Sequence, residues 1–276
     1  MKTKVLITVK AYPAISNKYG ETVCTAGITE DGKWIRIYPI PFRKLNYTDQ
    51  FKKYHWVEID LIKNGSDFRP ESYRPLSFNN FNTGSEIKSD RDAWLARREV
   101  VTKKVYTNLE TLISEAKDRK LVTSLATFKP TKFLDFVSVP VSRNWSSKQL
   151  LNLESMKNQG SLFDNDDENE IDNFEVVDKL PYKFSYKFED DRGKESTLMI
   201  EDWEIGMLYW RSLLSCNGDE KQACEKVKEK YFYDFAMKKD IYLFLGTTKV
   251  HHFIAPNPFV IIGVFYPKPI TQESLF

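Results

Sequence analysis

Asp31-Gly32-Lys33-Trp34-Ile35-Arg36-Ile37-Tyr38 is the stretch on which the reading of the fold turns. A β-strand sends successive side chains to opposite faces, so Ile35 and Ile37 share one face and Trp34, Arg36 and Tyr38 the other. The aliphatic pair is assigned to a core, and the second face is expected in solvent. Asp31-Gly32 is a hairpin signal, which makes Thr22 to Thr29 the partner strand. Lys4 to Lys10, Trp56 to Ile62 and Phe133 to Val139 carry the same short strand pattern, and strands at this spacing predict a small barrel.

Beyond the barrel the pattern changes. Tyr182, Phe184, Tyr186 and Phe188 alternate with Lys183, Ser185 and Lys187, then turn at Asp190-Asp191-Arg192-Gly193 into Thr197 to Glu201. That is a hairpin with one buried aromatic face. Capping residues place helices: Asp90, Thr107 with Glu110, Ser146 with Gln149, Asp202, and Asp219 with Gln222. Ile241 to Leu245 and Phe259 to Phe265 are continuously apolar and are expected as strands buried on both sides. The fold class is therefore α+β, an N-terminal barrel region followed by a smaller α+β layer domain. The expected divisions are residues 1–145 for the barrel, 146–177 for a helix and acidic linker, 178–268 for the α+β domain and 269–276 for a tail.

The chain has 276 residues, of which 41% are hydrophobic and 14% aromatic, a composition that excludes disorder throughout. No run approaches the roughly 20 apolar residues of a membrane span, and the start lacks the apolar core of a signal peptide, so a cytoplasmic location is expected. Three cysteines give no even disulfide framework and no zinc-knuckle spacing. No phosphate loop, dinucleotide turn, nucleophile elbow or HExxH helix is present, and neither cofactor nor metal is expected. The net charge of +2 hides an asymmetry. Residues 1–150 hold 26 Lys and Arg against 16 Asp and Glu, and residues 151–276 hold 15 against 23. Two readings follow: the halves attract each other, or the basic half faces a polyanion.

The second reading gains from Trp34, Arg36 and Tyr38, because aromatic planes flanking a guanidinium are what a single-stranded nucleic acid uses for stacking and phosphate pairing. Arg43, Lys44, Lys53, Arg69, Tyr73 and Arg74 extend the set. The alternative is a cross-strand aromatic pair with an ordinary arginine. A metal-dependent nuclease is the competing function, with Asp202 and Glu204 as carboxylates for Mg²⁺, although Asp202 already reads as a helix cap. The third is a protein-interaction module.

Val23-Cys24-Thr25-Ala26-Gly27, Gly32-Lys33-Trp34-Ile35-Arg36 with Pro39, and Trp56-Val57-Glu58-Ile59 leading to Pro70-Glu71-Ser72-Tyr73 resemble, in order and spacing, the dual OB-fold-containing domain of uncharacterised bacterial proteins. The resemblance spans about residues 1–140 and departs at Ile37-Tyr38-Pro39, where Pro-Val-Ser is commoner. It implies tandem OB-like barrels and a nucleic-acid-binding accessory role in replication, repair or phage conflict. Separately, Gln159-Gly160-Ser161-Leu162-Phe163 and Gln272-Glu273-Ser274-Leu275-Phe276 repeat one pattern, Gln-x-Ser-Leu-Phe. It resembles the pentapeptide by which bacterial polymerases and repair proteins dock on the sliding clamp. The resemblance implies that Gln159 and Gln272 bond at the pocket mouth while Leu162, Phe163, Leu275 and Phe276 fill an apolar cleft.

Overall fold

The structure is a computed structural model that describes residues 2–16, 19–78, 81–90, 93–147, 150–151 and 176–270. Both Gln-x-Ser-Leu-Phe segments lie outside the described residues. The first half contains β1 (Lys2–Lys10), β2 (Ala14–Ser16), β3 (Gly20–Thr29), β4 (Trp34–Ile40), β5 (His55–Lys63), β6 (Ser72–Pro75), β7 (Asn82–Glu86) and helix α1 (Leu95–Val101). Five of these strands close a ring in the order β1-β3-β4-β6-β5, and β5 pairs back onto β1. β4 and β6 run parallel and the other ring pairs antiparallel, the connectivity of an OB-like barrel. Its interior is filled by Val5, Ile7, Val23, Ile35, Ile37, Val57, Ile59 and Leu61, the inward residues of alternating strands, and by Phe51 from the β4–β5 connection. At Gly27 the strands come so close that a Cβ would stand 2.3 Å from the Leu6 carbonyl oxygen, so only glycine fits there.

The second half holds β8 (Val105–Tyr106), α2 (Leu109–Lys117), β9 (Leu125–Phe128), β10 (Lys132–Pro140), β11 (Tyr182–Glu189), β12 (Glu195–Met199), α3 (Trp203–Ser215), α4 (Glu220–Lys228), β13 (Tyr242–Thr247) and β14 (Phe259–Phe265). Residues Glu229–Ala236 continue α4 as a π-helical turn. Two antiparallel-rich sheets result, β10-β11-β12 and β14-β13-β9-β8. The aromatic hairpin face is buried as its alternation requires, with Phe184, Tyr186 and Phe188 at most 1% exposed. Tyr186 meets α4's extension, its hydroxyl donating to the Tyr231 carbonyl at 2.5 Å.

Two expectations change. Phe133 to Val139 is no barrel strand: it pairs with β11, because its alternation records a half-buried sheet without saying which sheet. Among the described residues there is accordingly one closed barrel rather than a tandem pair. The expected Ser146–Gln149 box and the acidic linker after it lie mostly outside the described residues; the other caps are legible with one exception. Asp202, Asp219 and Asp90 accept helix N–H groups of Glu204, Gln222 and Leu95, whereas α2 is capped by Asn108, whose side chain accepts from Thr111 at 2.9 Å. Thr107 turns instead to Asp191.

Asp190, 2% exposed, joins the β11–β12 hairpin to helix α2: its carboxylate accepts from the Arg192 and Lys194 N–H groups of the hairpin turn and from Leu109 at the start of α2. Replacing it leaves the Leu109 amide buried without an acceptor and unties the two turn amides. Asp190→Ala is expected to lower unfolding free energy by about 2–3 kcal/mol in urea titration; an unchanged midpoint would show that water satisfies this turn.

Candidate nucleic-acid interface

Period-two alternation assigns the barrel-lining residues of β4 correctly and its outer face incorrectly. Ile35 and Ile37 line the barrel, but Arg36 on the opposite face is 3% exposed, because the second half packs over that face. Its guanidinium donates to the Ser124 hydroxyl at 2.8 Å and to the carbonyls of Ser124 and Thr247 at 3.2 and 3.3 Å. Glu71 completes this contact, accepting from the Ser124 amide at 3.0 Å and its hydroxyl at 2.8 Å. Trp34 packs edge-on against Phe244 of β13, with ring centroids 5.3 Å apart. Only Tyr38 of the three stands substantially in solvent, at 39%. The platform of two planes flanking an exposed guanidinium is therefore not formed.

Two further basic candidates are buried. Arg69 donates to both oxygens of Asp67, at 2.9 and 2.6 Å, and to the Thr247 carbonyl. Lys53 is held 3.0 Å from both oxygens of Asp202 and 3.1 Å from Glu204. Burial alone would depress the Lys53 ammonium, but Asp202 and Glu204 carry it above the ordinary lysine range. The same pairing occupies the two carboxylates considered for Mg²⁺, with Asp202 also capping α3. Arg43 reaches the buried Glu21 at 2.9 Å, while Lys44 and Arg74 are exposed. His252, wholly buried, donates from Nε2 to the Ala116 carbonyl at 2.7 Å and so accepts from the Thr247 hydroxyl at Nδ1. It is a structural residue of the seam.

What remains open is a cleft of about 570 Å³ along that seam, within the range of ligand sites. Its floor is apolar, with Ile28, Ile35, Val101, Leu125 and Ala126, and its walls bring Trp34 and Tyr73 together. Lys33, Lys103 and Lys104 stand on the same walls beside Tyr106. The lysines are held by weak surface contacts: Lys33 to Asp31, Lys103 to the Glu30 carbonyl, and Lys104 to Glu115 at 3.9 Å. Gly32, at φ +85°, lets the β3–β4 turn pass under Lys103, whose Cδ would lie 2.7 Å from a Cβ there. Sequence reasoning thus named Trp34 and Tyr73 and missed the dibasic pair Lys103-Lys104. The signal was a basic dipeptide between a helix and a strand, which by itself is ordinary surface.

An OB-like barrel sealed on one face by an α+β domain, with a cationic and aromatic cleft at the joint, defines the class. The family model described as a domain of unknown function, DUF8758, matches residues 1–103, and DUF8757, likewise a domain of unknown function, matches residues 105–276. The second match takes in more than half of the chain, which belongs to that family. The two matches meet at the segment that lines the cleft, earlier than the division near 145 read from the sequence. Among the curated proteins nothing matches the chain. Among the described residues no helix is long and apolar enough to cross a membrane.

The buried pair Asp67–Arg69 sets an acid limit on the seam. Burial would raise the Asp67 carboxyl, but hydrogen bonds from Arg69 and Ser72 hold it well below the usual carboxylate range. The unfolded chain therefore takes up the proton first, and the stabilisation is present above the ordinary carboxylate pKa of about 4 and is lost as pH falls through and below it. Asp67→Asn is expected to lower stability at pH 7 and to flatten the dependence on pH below about 4, measured by urea unfolding across pH. An acid limb as steep as the parent's would contradict this assignment.

Proposed function

We propose that this protein is a non-enzymatic nucleic-acid-binding factor that takes single-stranded or structured nucleic acid in the seam cleft. The observation that carries the reading is the convergence of Trp34 and Tyr73 with Lys33, Lys103 and Lys104 around one cavity. Bases stack on aromatic faces with little regard to sequence, and lysines neutralise phosphates by exchanging weak surface partners for stronger anionic ones. The location agrees with the fold, since OB barrels engage oligonucleotides across their second and third strands and the loop between the fourth and fifth. Here those strands are β3 and β4, and the loop contributes Pro70 and Glu71 to the cleft wall. The usual centre of that face, around Arg36, is filled by Ser124 and Thr247, which moves the available surface to the edge.

Fluorescence anisotropy with single-stranded DNA and RNA tests the reading. Tyr73→Ala is expected to weaken binding about 5- to 150-fold, the range of one lost stack. Lys33→Gln, Lys103→Gln and Lys104→Gln should each reduce the slope of log affinity against log salt by about 0.7. Parent-like binding by all four variants would rule the cleft out.

The repeated Gln-x-Ser-Leu-Phe supports a second partner, the bacterial sliding clamp, with segment 272–276 as one anchor and 159–163 as another. Two weak anchors on one chain raise apparent affinity for a ring of identical pockets without new contacts. Changing Leu275 and Phe276 to Ala should remove most clamp binding in a titration and the same change at Leu162 and Phe163 less; no binding by the parent would make the repeat a coincidence.

A further inference from the structure

We infer that a bound strand leaves the cleft across the 64–71 loop and stacks again on a ledge formed by Phe68 and Phe253. This rests on the cleft reading above. Phe68 remains 47% exposed, although it is a large aromatic side chain on a loop whose neighbours are buried. Its ring is stacked on Phe253, with centroids 5.0 Å apart and planes at 26°, and the Arg119 guanidinium lies 4.0 Å from the Phe253 centroid. Two rings and a guanidinium assembled from three separate loops give a base both a π surface and a cation.

The ledge is held from beneath, so it is pre-organised. Both phenyl rings meet His252 edge-on, at 5.2 and 4.6 Å, and His252 is pinned by Thr247 and Ala116. Lys249 donates to the Ser66 carbonyl and Arg69 to the Thr247 carbonyl, tying the β13–β14 loop to the barrel loop. A rigid aromatic surface loses little entropy on binding.

Charge and continuity identify the occupant. Arg119 lies over the Phe253 ring and Lys249 reaches the Ser66 carbonyl two residues before Phe68, while Asp67 beside Phe68 is neutralised by Arg69 and Ser72 and the exposed Asp118 accepts from the Lys120 and Leu121 amides at 2.7 and 3.0 Å. The surface presented is cationic. Along the chain, Phe68 is followed by Pro70 and Glu71, and Leu121 by Thr123, and all three of these followers line the cleft. A single strand therefore meets phosphate-binding cations and stacking planes along one continuous path.

The test compares oligonucleotides of about 4 and about 16 nucleotides, the limits of a site served by one OB fold, in anisotropy titrations of the full chain. Phe68→Ala should weaken the long oligonucleotide about tenfold or more and leave the short one unchanged, whereas Tyr73→Ala should weaken both. Arg119→Gln and Lys249→Gln, which remove no packed ring, should repeat the length-dependent loss. If these three variants bind the long oligonucleotide as the parent does while Tyr73→Ala does not, the ledge is excluded and the cleft stands; no binding by the parent overturns both. Val250 and Ile254, 70% and 78% exposed on the same loop, supply the control. Sedimentation with phosphatidylserine vesicles that is lost in Ile254→Ser, with no length effect on oligonucleotides, would assign the ledge to lipid and overturn the proposal.

Discussion

A guanidinium cannot be buried unless its donors are satisfied, and Arg36 meets that demand only because the two halves of the chain close around it. The hydroxyl and carbonyl of Ser124 and the carbonyl of Thr247 come from the second half, while Arg36 itself stands on the third strand of the barrel ring. Separating the halves would exchange these protein acceptors for water and expose the apolar seam of Val9, Ile28, Phe244 and Phe265. A hydrogen bond between a neutral group and a charged one is typically worth about 1.5–3 kcal/mol. The seam is therefore a fixed part of the molecule, and the surfaces beside it have fixed geometry.

Part of the charge of residues 1–150 and 151–276 is paired across the seam. Lys53 meets Asp202, and Arg98 meets Asp240 at 2.6 Å while donating to the Lys268 carbonyl. Attraction between the halves, the first reading of the asymmetry, is visible in these pairs. Some basic residues of the first half answer acidic residues of the second, and those left at the cleft and ledge are held by surface contacts that an anion can displace.

The sequence made the inner face of the barrel legible and left its outer face ambiguous, for one physical reason. Alternation reports that a side chain faces away from the core it flanks, not whether water or another domain lies beyond. Trp34 and Arg36 show this directly, since their face is covered by β13 and by Ser124. The helix starts at Asp202 and Asp219 were readable because a cap is a local interaction, and the one-residue error at Thr107 arose because Asp191, 84 residues away, competes for its hydroxyl. β9 and β6, four residues each, carry too little pattern to be seen, and β9 is buried throughout because it lies inside a sheet. Of the site, the two aromatics Trp34 and Tyr73 were visible and the lysines beside them were not, because the turn that brings Lys33 to Lys103 is a tertiary contact.

The proposed function places nucleic acid at the edge of a barrel whose ordinary binding face is closed. Photocrosslinking the intact protein to a single-stranded oligonucleotide bearing a photoreactive base, with the attached peptides located by mass spectrometry, tests that placement. Crosslinks concentrated at Trp34, Tyr73 and residues 100–106 are predicted. Crosslinks at Cys24 and Arg36, or at Arg43 and Lys44 alone, would contradict the account, because the first would require the seam to open and the second would place the strand on the outside of the barrel.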